Sequence, residues 1–224
     1  MFTMGPPLWA AEDGDPYWSY VKLLLHFDGD YVDSSPVAGS YAASNGAVIT
    51  TVDQLYGSGA LDCTASVDAQ VAGGSSALAM GTGDFCAECF FKDPNTPGAN
   101  TCFWFMESAS TSHNVLVKTS SSQLAVDVSG VAPAGSVAYT YNTWHHMAVT
   151  RSGNSFTFWF NGAAELTWTN STLTMTGNIN VRVGRASSSG TGRRVFIDEF
   201  RLTVGVPRYT APFTPAGPFP NKGL

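Results

Sequence analysis

The stretch Thr143–Gly162, "TWHHMAVTRSGNSFTFWFNG", decides how this chain is read. It raises one question: whether His145 and His146 form a reactive or metal-binding pair or simply sit in a strand. Successive side chains of a strand face opposite sides. From Trp144, one face then carries Trp144, His146, Ala148 and Thr150, and the other His145, Met147, Val149 and Arg151. The two imidazoles diverge and cannot chelate one ion together. "RSGNS" makes a tight turn, and the chain returns as "FTFWFNG" with Phe156, Phe158 and Phe160 on one face. That face is expected to be core, together with Met147 and Val149. His146, Ala148, Thr157 and Trp159 are left on the opposite face of the hairpin. Two readings of that face stand open. A loop of the same chain covers Trp159, or Trp159, His146 and Thr157 form an exposed platform. In the second case a pyranose CH face would stack on the ring and polar neighbours would supply hydrogen bonds.

Working outward, the same grammar repeats. "YVKLLLHFD" (20–28) is a strand ended by the turn "DGD". "SPVAGSYAASNGAV" (35–48) reads as a polar, Gly-rich loop leading into a short strand at 47–51. Further short strands are expected in "GSGALDCTAS", "DFCAECFFKD", "NTCFWFMES", "VLVKTSS", "SQLAVDVS", "AELTWT", "NINVRVG" and "RVFIDEFRLT". Helical i, i+3, i+4 spacing is not sustained beyond two turns in any window, and "SSALAMGTG" offers one short turn at most. Turn signals recur roughly every 8–12 residues and βαβ units are absent, which points to an antiparallel two-sheet sandwich or jelly roll. Residues 1–20 read as an extended N-terminal arm, 21–213 as the sandwich and 214–224 as a Pro-rich tail.

The 224 residues are 44% hydrophobic and only 12% charged, with a net charge of −6. The charged share is about half the usual value, and Gly, Ser and Thr take up the difference. There is no basic run of the kind that neutralises phosphates, so nucleic acid is not an expected partner. No window is apolar enough to span a membrane. "MFTMGPPLWAAEDGDP" lacks a basic n-region and an apolar stretch of signal length. A protein made in the cytoplasm and not exported by a signal peptide is expected. The four cysteines are Cys63, Cys86, Cys89 and Cys102. Cys86 and Cys89 have CxxC spacing, but positions three apart in a strand face opposite sides. No second CxxC accompanies them, so packed thiols are the reading preferred over zinc or a disulfide.

"WHHMAVTRSGNSFTFWFNG" resembles the central hairpin of the laminin-G-like, concanavalin A-like lectin/glucanase superfamily. "LLLHFDGDYVDSS", "YGSGALDCTAS", "GTGDFCAECFF" and "VFIDEFRLTVGVPRYTAPFTP" agree with that family in order. The resemblance runs from about Val21 to Pro215. The last stretch is similar to versions of the domain in virion proteins of tailed bacteriophages. The resemblance implies a two-sheet jelly roll and leaves function open among lectins, glycosidases, adhesins and structural modules.

The glucanase branch carries catalytic carboxylates as Glu-x-Asp-x-x-Glu on one strand, the pair that retaining hydrolysis needs. Glu88, Glu107, Glu165 and Glu199 all lack that neighbourhood, and adjacent Asp198 and Glu199 would face opposite sides of a strand. A catalytic role is not expected. The resemblance also implies a structural Ca²⁺ near the sheet rim. Asp28, Asp30 and Asp33 in "FDGDYVDSS", with Asp198 and Glu199 in "IDE", are candidate ligands, since Ca²⁺ takes six to eight oxygens. The bland alternative is that these acids shape turns. In the arm, Phe2, Leu8, Trp9, Tyr17 and Trp18 would expose more apolar surface than a soluble monomer tolerates. They are expected to anchor on a neighbouring subunit. The expected function is a non-enzymatic structural protein on a phage particle, in contact with other capsid or tail proteins and self-associating. The alternative is a module that binds a host-surface glycan.

Overall fold

The structure, a computed structural model, describes residues 14–94, 102–120, 123–185 and 194–223. Among these, fourteen strands and two single-turn 3₁₀ segments, Trp18–Tyr20 and Ser76–Leu78, make up the regular structure. The strands are β1 (Val21–Leu25), β2 (Tyr41–Ser44), β3 (Val48–Thr50), β4 (Ala60–Asp62), β5 (Gln70–Ser75), β6 (Phe85–Lys92) and β7 (Cys102–Ser108). They continue as β8 (Asn114–Ser120), β9 (Gln123–Val128), β10 (Trp144–Ser152), β11 (Ser155–Phe160), β12 (Ala163–Thr169), β13 (Ile179–Val183) and β14 (Phe196–Val204). One sheet runs β12-β11-β10-β6-β14-β4-β3 with β1 also paired to β14, and the other runs β2-β5-β13-β7-β8-β9. Every strand pairing within them is antiparallel, so the chain is the all-β, two-sheet jelly roll that its alternation implies. Among the described residues, no helix is long and apolar enough to cross a membrane.

Period-2 alternation builds the core. In β6, Phe85, Ala87, Cys89 and Phe91 face inward and meet Phe103, Trp104 and Met106 of β7 within one apolar cluster. The β10–β11 hairpin registers Met147 with Phe160, Val149 with Phe158 and Ser152 with Ser155, leaving Gly153 and Asn154 as its two-residue loop. Met147, Val149, Phe156 and Phe158 are all fully buried in the same cluster, as the sequence indicated. Tyr41–Ser44, read above as loop, is instead an edge strand. Its neighbour β5 carries Gly73, where a Cβ would come within 2.4 Å of the Ser40 carbonyl oxygen, so small residues let this edge close up.

The central strands β6, β10 and β14 of the larger sheet are buried on both faces, which an antiparallel sheet does not require. All of β6 except Lys92 is buried. Its outward side chains, Cys86, Glu88 and Phe90, are covered by residues from both ends of the described chain. Val21, Leu24, Phe90 and Phe219 form a second apolar cluster with Trp18, Tyr56 and Trp144 against it. Cys86, Ala148 and Trp159 form a third, under Tyr209 and Phe213. The four cysteines are free and buried, with Cys89 in the main core and Cys86 on the outer side, so their side chains diverge as strand geometry demands.

Candidate functional site

Glu88 lies at the middle of the covered outer face. Its carboxylate is fully buried and accepts from Arg201 Nε at 2.9 Å, the Tyr209 hydroxyl at 2.7 Å and His146 Nε2 at 3.1 Å. Arg201 also reaches Asp15 at 3.1 Å, and its guanidinium lies 3.7 Å from the centre of the Phe219 ring. Arg208 pairs with the same Asp15 oxygen and stands 3.8 Å from Glu88. Two buried acids thus face two buried guanidiniums, and the network joins β6, β14, the start of the described chain and the segment after β14. Burial alone would push the Glu88 carboxyl up. Arg201, His146 and Arg208 outweigh it and hold the group well below the usual carboxylate range.

The strap that closes the hairpin face is built from residues 205–213. Tyr209 and Phe213 stack with ring centroids 3.5 Å apart and both lie edge-on to Trp159. Gly162 lets the strap come close: its φ is +82°, it accepts the Phe213 amide at 3.1 Å, and a Cβ there would lie 1.8 Å from the Phe213 carbonyl oxygen. The Trp159 indole donates to Thr150 Oγ1 at 2.8 Å.

A second cluster sits where β1 and β14 end. A register shift between Asp198 and Arg201 marks a β-bulge in β14, with Glu199 at φ +55°. Such a bulge adds a residue and re-aims side chains. Asp198 and Glu199 consequently both reach the outer side, contrary to the strict alternation assumed from sequence. Asp198 Oδ2 accepts the Leu55 and Tyr56 amides at 2.9 and 3.0 Å, while its buried Oδ1 has no partner. Glu199 is fully buried, accepts the Phe219 amide at 2.8 Å and is contacted by His26 Nδ1 at 2.8 Å. Asp28 Oδ1 holds the Ser58 and Gly59 amides at 2.5 and 3.2 Å. His26 and Asp28 line a cavity of about 240 Å³ whose other wall is Pro218–Lys222.

The residues singled out from sequence are therefore redistributed. His145 faces Phe91 and Phe160 on the inner side, and His146 faces Phe90 and Phe213 on the outer, so the two rings do diverge. Of the two readings left open for the hairpin face, cover by the same chain holds, and the exposed platform of Trp159, His146 and Thr157 does not form. Trp159 and His146 are buried under the strap and Thr157 is half-buried, because large rings find cover within the chain. Asp28 and Asp198 do approach each other, both gripping the 55–59 turn. Asp33 lies apart, buried and filled by the Leu24, Ser35 and Gly39 amides. Asp30 is exposed and caps its own turn through the Val32 amide. Phe2, Leu8 and Trp9 lie outside the described residues. Tyr17 and Trp18, expected to reach a neighbouring subunit, have contacts on this chain: the Tyr17 ring, still exposed, lies under Arg208 at 5.2 Å and Trp18 packs against the outer cluster. Asp15 and Phe219, outside the sandwich bounds expected from sequence, are both buried on the covered face. Sequence reasoning missed His26, Arg201, Arg208 and Tyr209. Only a histidine two residues before Asp28 could have signalled the first.

Burial, assisted by the negative charges of Glu199 and Asp28, pushes Asp198 up to about 7 despite two backbone amides. A carboxyl raised in the folded state binds its proton more tightly there than when unfolded, so stability falls as pH rises from about 4 to 7. In metal-free protein, the unfolding free energy from urea denaturation should decline across that window by roughly 2–4 kcal/mol, at about 1.4 kcal/mol per pKa unit. Asp198→Asn keeps an oxygen for Leu55 and Tyr56 and should flatten the decline. An unchanged slope in the variant would assign the titration elsewhere.

The sandwich, with its hairpin, paired sheets and sealed outer face, is the architecture of a lectin-like domain. The sequence profile of Laminin_G_3, the concanavalin A-like lectin/glucanases superfamily, matches residues 64–205, and the chain belongs to that family. Domain 4 of AbnA, a GH43 extracellular arabinanase from Geobacillus stearothermophilus, solved in complex with arabinotriose, shares its fold. The TM-score is 0.63 at 16% identity, covering 84% of this chain and 95% of that one. The receptor-binding domain of botulinum neurotoxin type G aligns with a TM-score of 0.59 at 11% identity, covering 87% of this chain and 48% of the toxin chain. A Trypanosoma rangeli sialidase aligns with a TM-score of 0.58 at 12% identity, covering 83% of this chain and 30% of the sialidase chain. The chain thus spans about half of the toxin chain and under a third of the sialidase. No curated protein sequence matches the chain.

Proposed function

We propose that this chain is a non-catalytic, lectin-like surface module of a bacteriophage particle, held at one edge and bound to other virion proteins. One observation carries the reading. The first and last described segments meet in a parallel bridge between Asp15 and Gly223, and the Asp15 amide donates to the Lys222 carbonyl at 2.8 Å. The first and last described segments therefore lie side by side at one edge, which suits a module held there. The phage-like stretch 195–215 supports the reading. It supplies Arg201, Arg208, Tyr209 and Phe213, the side chains that fix this closure. A non-catalytic role is supported by Glu88, the central acid of the larger sheet, which is saturated by an arginine, a tyrosine and a histidine. It does not face a second free carboxyl as glycoside hydrolysis requires. Phe2, Leu8 and Trp9 remain the candidate anchors, and self-association through them is part of the proposal.

The test is fractionation of a phage lysate on a density gradient with detection by antibody. The chain should band with intact particles, and deletion of residues 1–12, upstream of Asp15, should abolish that while leaving the sandwich folded. Recovery only among free proteins would overturn the proposal. A second reading, a glycan-binding module of a host-attachment protein, is favoured by the arabinanase domain, whose structure holds arabinotriose. Saturable binding on a glycan array by the isolated chain would support it.

A further inference from the structure

Four ionisable side chains gather at the ends of β1 and β14, and the charge there is unbalanced. Asp28, Asp198 and Glu199 bring three carboxyls together, two of them fully buried, and His26 is the side chain paired with them. A buried carboxylate oxygen with no partner is costly. Asp198 Oδ1 is one such atom, and His26 Nε2 is likewise buried without a partner. The Glu199 carboxylate faces His26 Nδ1 through both oxygens, at 2.8 and 3.0 Å, so this nitrogen and this carboxylate already point at one another. One ring nitrogen of His26 and one carboxylate oxygen each from Asp28 and Glu199 lie within 4.8 Å of one another, beside the cavity walled by Pro218–Lys222.

These donors do not suit the Ca²⁺ that the fold resemblance implies. Calcium takes six to eight oxygens. Here Asp33 is filled by three amides, Asp30 stands out in solvent, and the converging set includes an imidazole nitrogen. Nitrogen-plus-carboxylate sets with few ligands suit Zn²⁺ and its neighbours in the first transition row. We propose that His26, Asp28 and Glu199 form a site for a divalent transition-metal ion of the Zn²⁺ class, with Asp198 adding negative charge beside it. Donors on a tetrahedral ion at 2.0–2.1 Å lie roughly 3.4 Å apart; His26 Nδ1 and Glu199 Oε1, now 2.8 Å apart, would part slightly as the ion replaces the proton between them. The remaining coordination positions open toward the cavity, where water or a ligand oxygen completes the shell.

The experiment uses the full chain stripped of metal, titrated calorimetrically with ZnCl₂, MnCl₂ and CaCl₂, with melting temperature followed in parallel. One equivalent of Zn²⁺ should bind and raise the melting temperature, and Ca²⁺ should do neither. His26→Gln and Asp28→Asn should each weaken Zn²⁺ at least about tenfold. Asp30→Asn, in the same loop but outside the set, should change nothing. In case a variant fails to fold, the visible spectrum of the Co²⁺-loaded parent gives a second readout. Nitrogen and oxygen ligation without a thiolate charge-transfer band is expected. Binding of Ca²⁺ in place of Zn²⁺, Zn²⁺ affinity untouched by His26→Gln, a thiolate band, or no binding at all would each overturn the proposal. Particle association reads out the proposed function independently of all four outcomes.

Discussion

Glu88→Gln should lower the unfolding free energy by about 3–5 kcal/mol, the range found when one partner of a buried ion pair is removed. The substitution keeps the shape of the side chain and removes its charge. Arg201 and Arg208 are then left with Asp15 as their shared counter-ion. One amide oxygen cannot replace two carboxylate oxygens that now take the Arg201 guanidinium, the Tyr209 hydroxyl and His146. The amide NH₂ also points a donor at groups that are themselves donors. The loss should be local in its first consequences. Asp15, Arg208 and Tyr209 belong to the terminal segments, so limited proteolysis of the variant should cut near residues 14–20 and 205–215 before the sandwich unfolds. The pH dependence has a definite sign. Glu88 is depressed in the folded state, so its contribution is present above the ordinary carboxylate pKa of about 4 and is lost as pH falls through the folded value. Urea denaturation of parent and variant should differ at pH 7 and converge in strong acid. A difference below about 1 kcal/mol at pH 7 would mean that the network positions the termini without stabilising them.

Phe158→Ala should cost a similar 3–5 kcal/mol by a different mechanism, the loss of burial plus the cavity left behind. Phe158 is fully buried, registers with Val149 on β10 and Leu166 on β12, and packs in the cluster shared by both sheets. Strands hydrogen-bonded on both sides cannot collapse into the void, so the cavity term should persist. The denaturant midpoint should fall with little change in slope. Ser155→Ala, at the exposed start of the same strand, should stay within about 0.5 kcal/mol and serves as the control. A cost below about 1 kcal/mol for Phe158→Ala would reverse the assignment of faces in the hairpin.

These two residues mark the boundary between what is local and what is not. Phe158 is legible because alternation along one strand, anchored by a tight turn, fixes which face is apolar. The same rule places Met147 and Val149 in the core, separates His145 from His146 and parts Cys86 from Cys89. The all-β, two-sheet class follows from repeating that pattern along the chain. Glu88 is not legible. Its partners Arg201 and Arg208 lie 113 and 120 residues away, Asp15, which shares those arginines, lies 73 residues away, and nothing in "DFCAECFF" announces them. Which segment covers Trp159 was hidden for the same reason, since Tyr209 and Phe213 arrive from some 50 residues further on. The metal candidates divided because a period-2 reading cannot see an inserted residue. The bulge at Glu199 turns two adjacent acids to one side, where His26 and Asp28 meet them from the other end of the chain. Sequence by itself determined the period and polarity of each strand, because those depend on neighbours one or two residues away. Which outward face stays wet, and which acids share a site, only the tertiary structure decided, because both depend on long-range closure that local alternation does not encode.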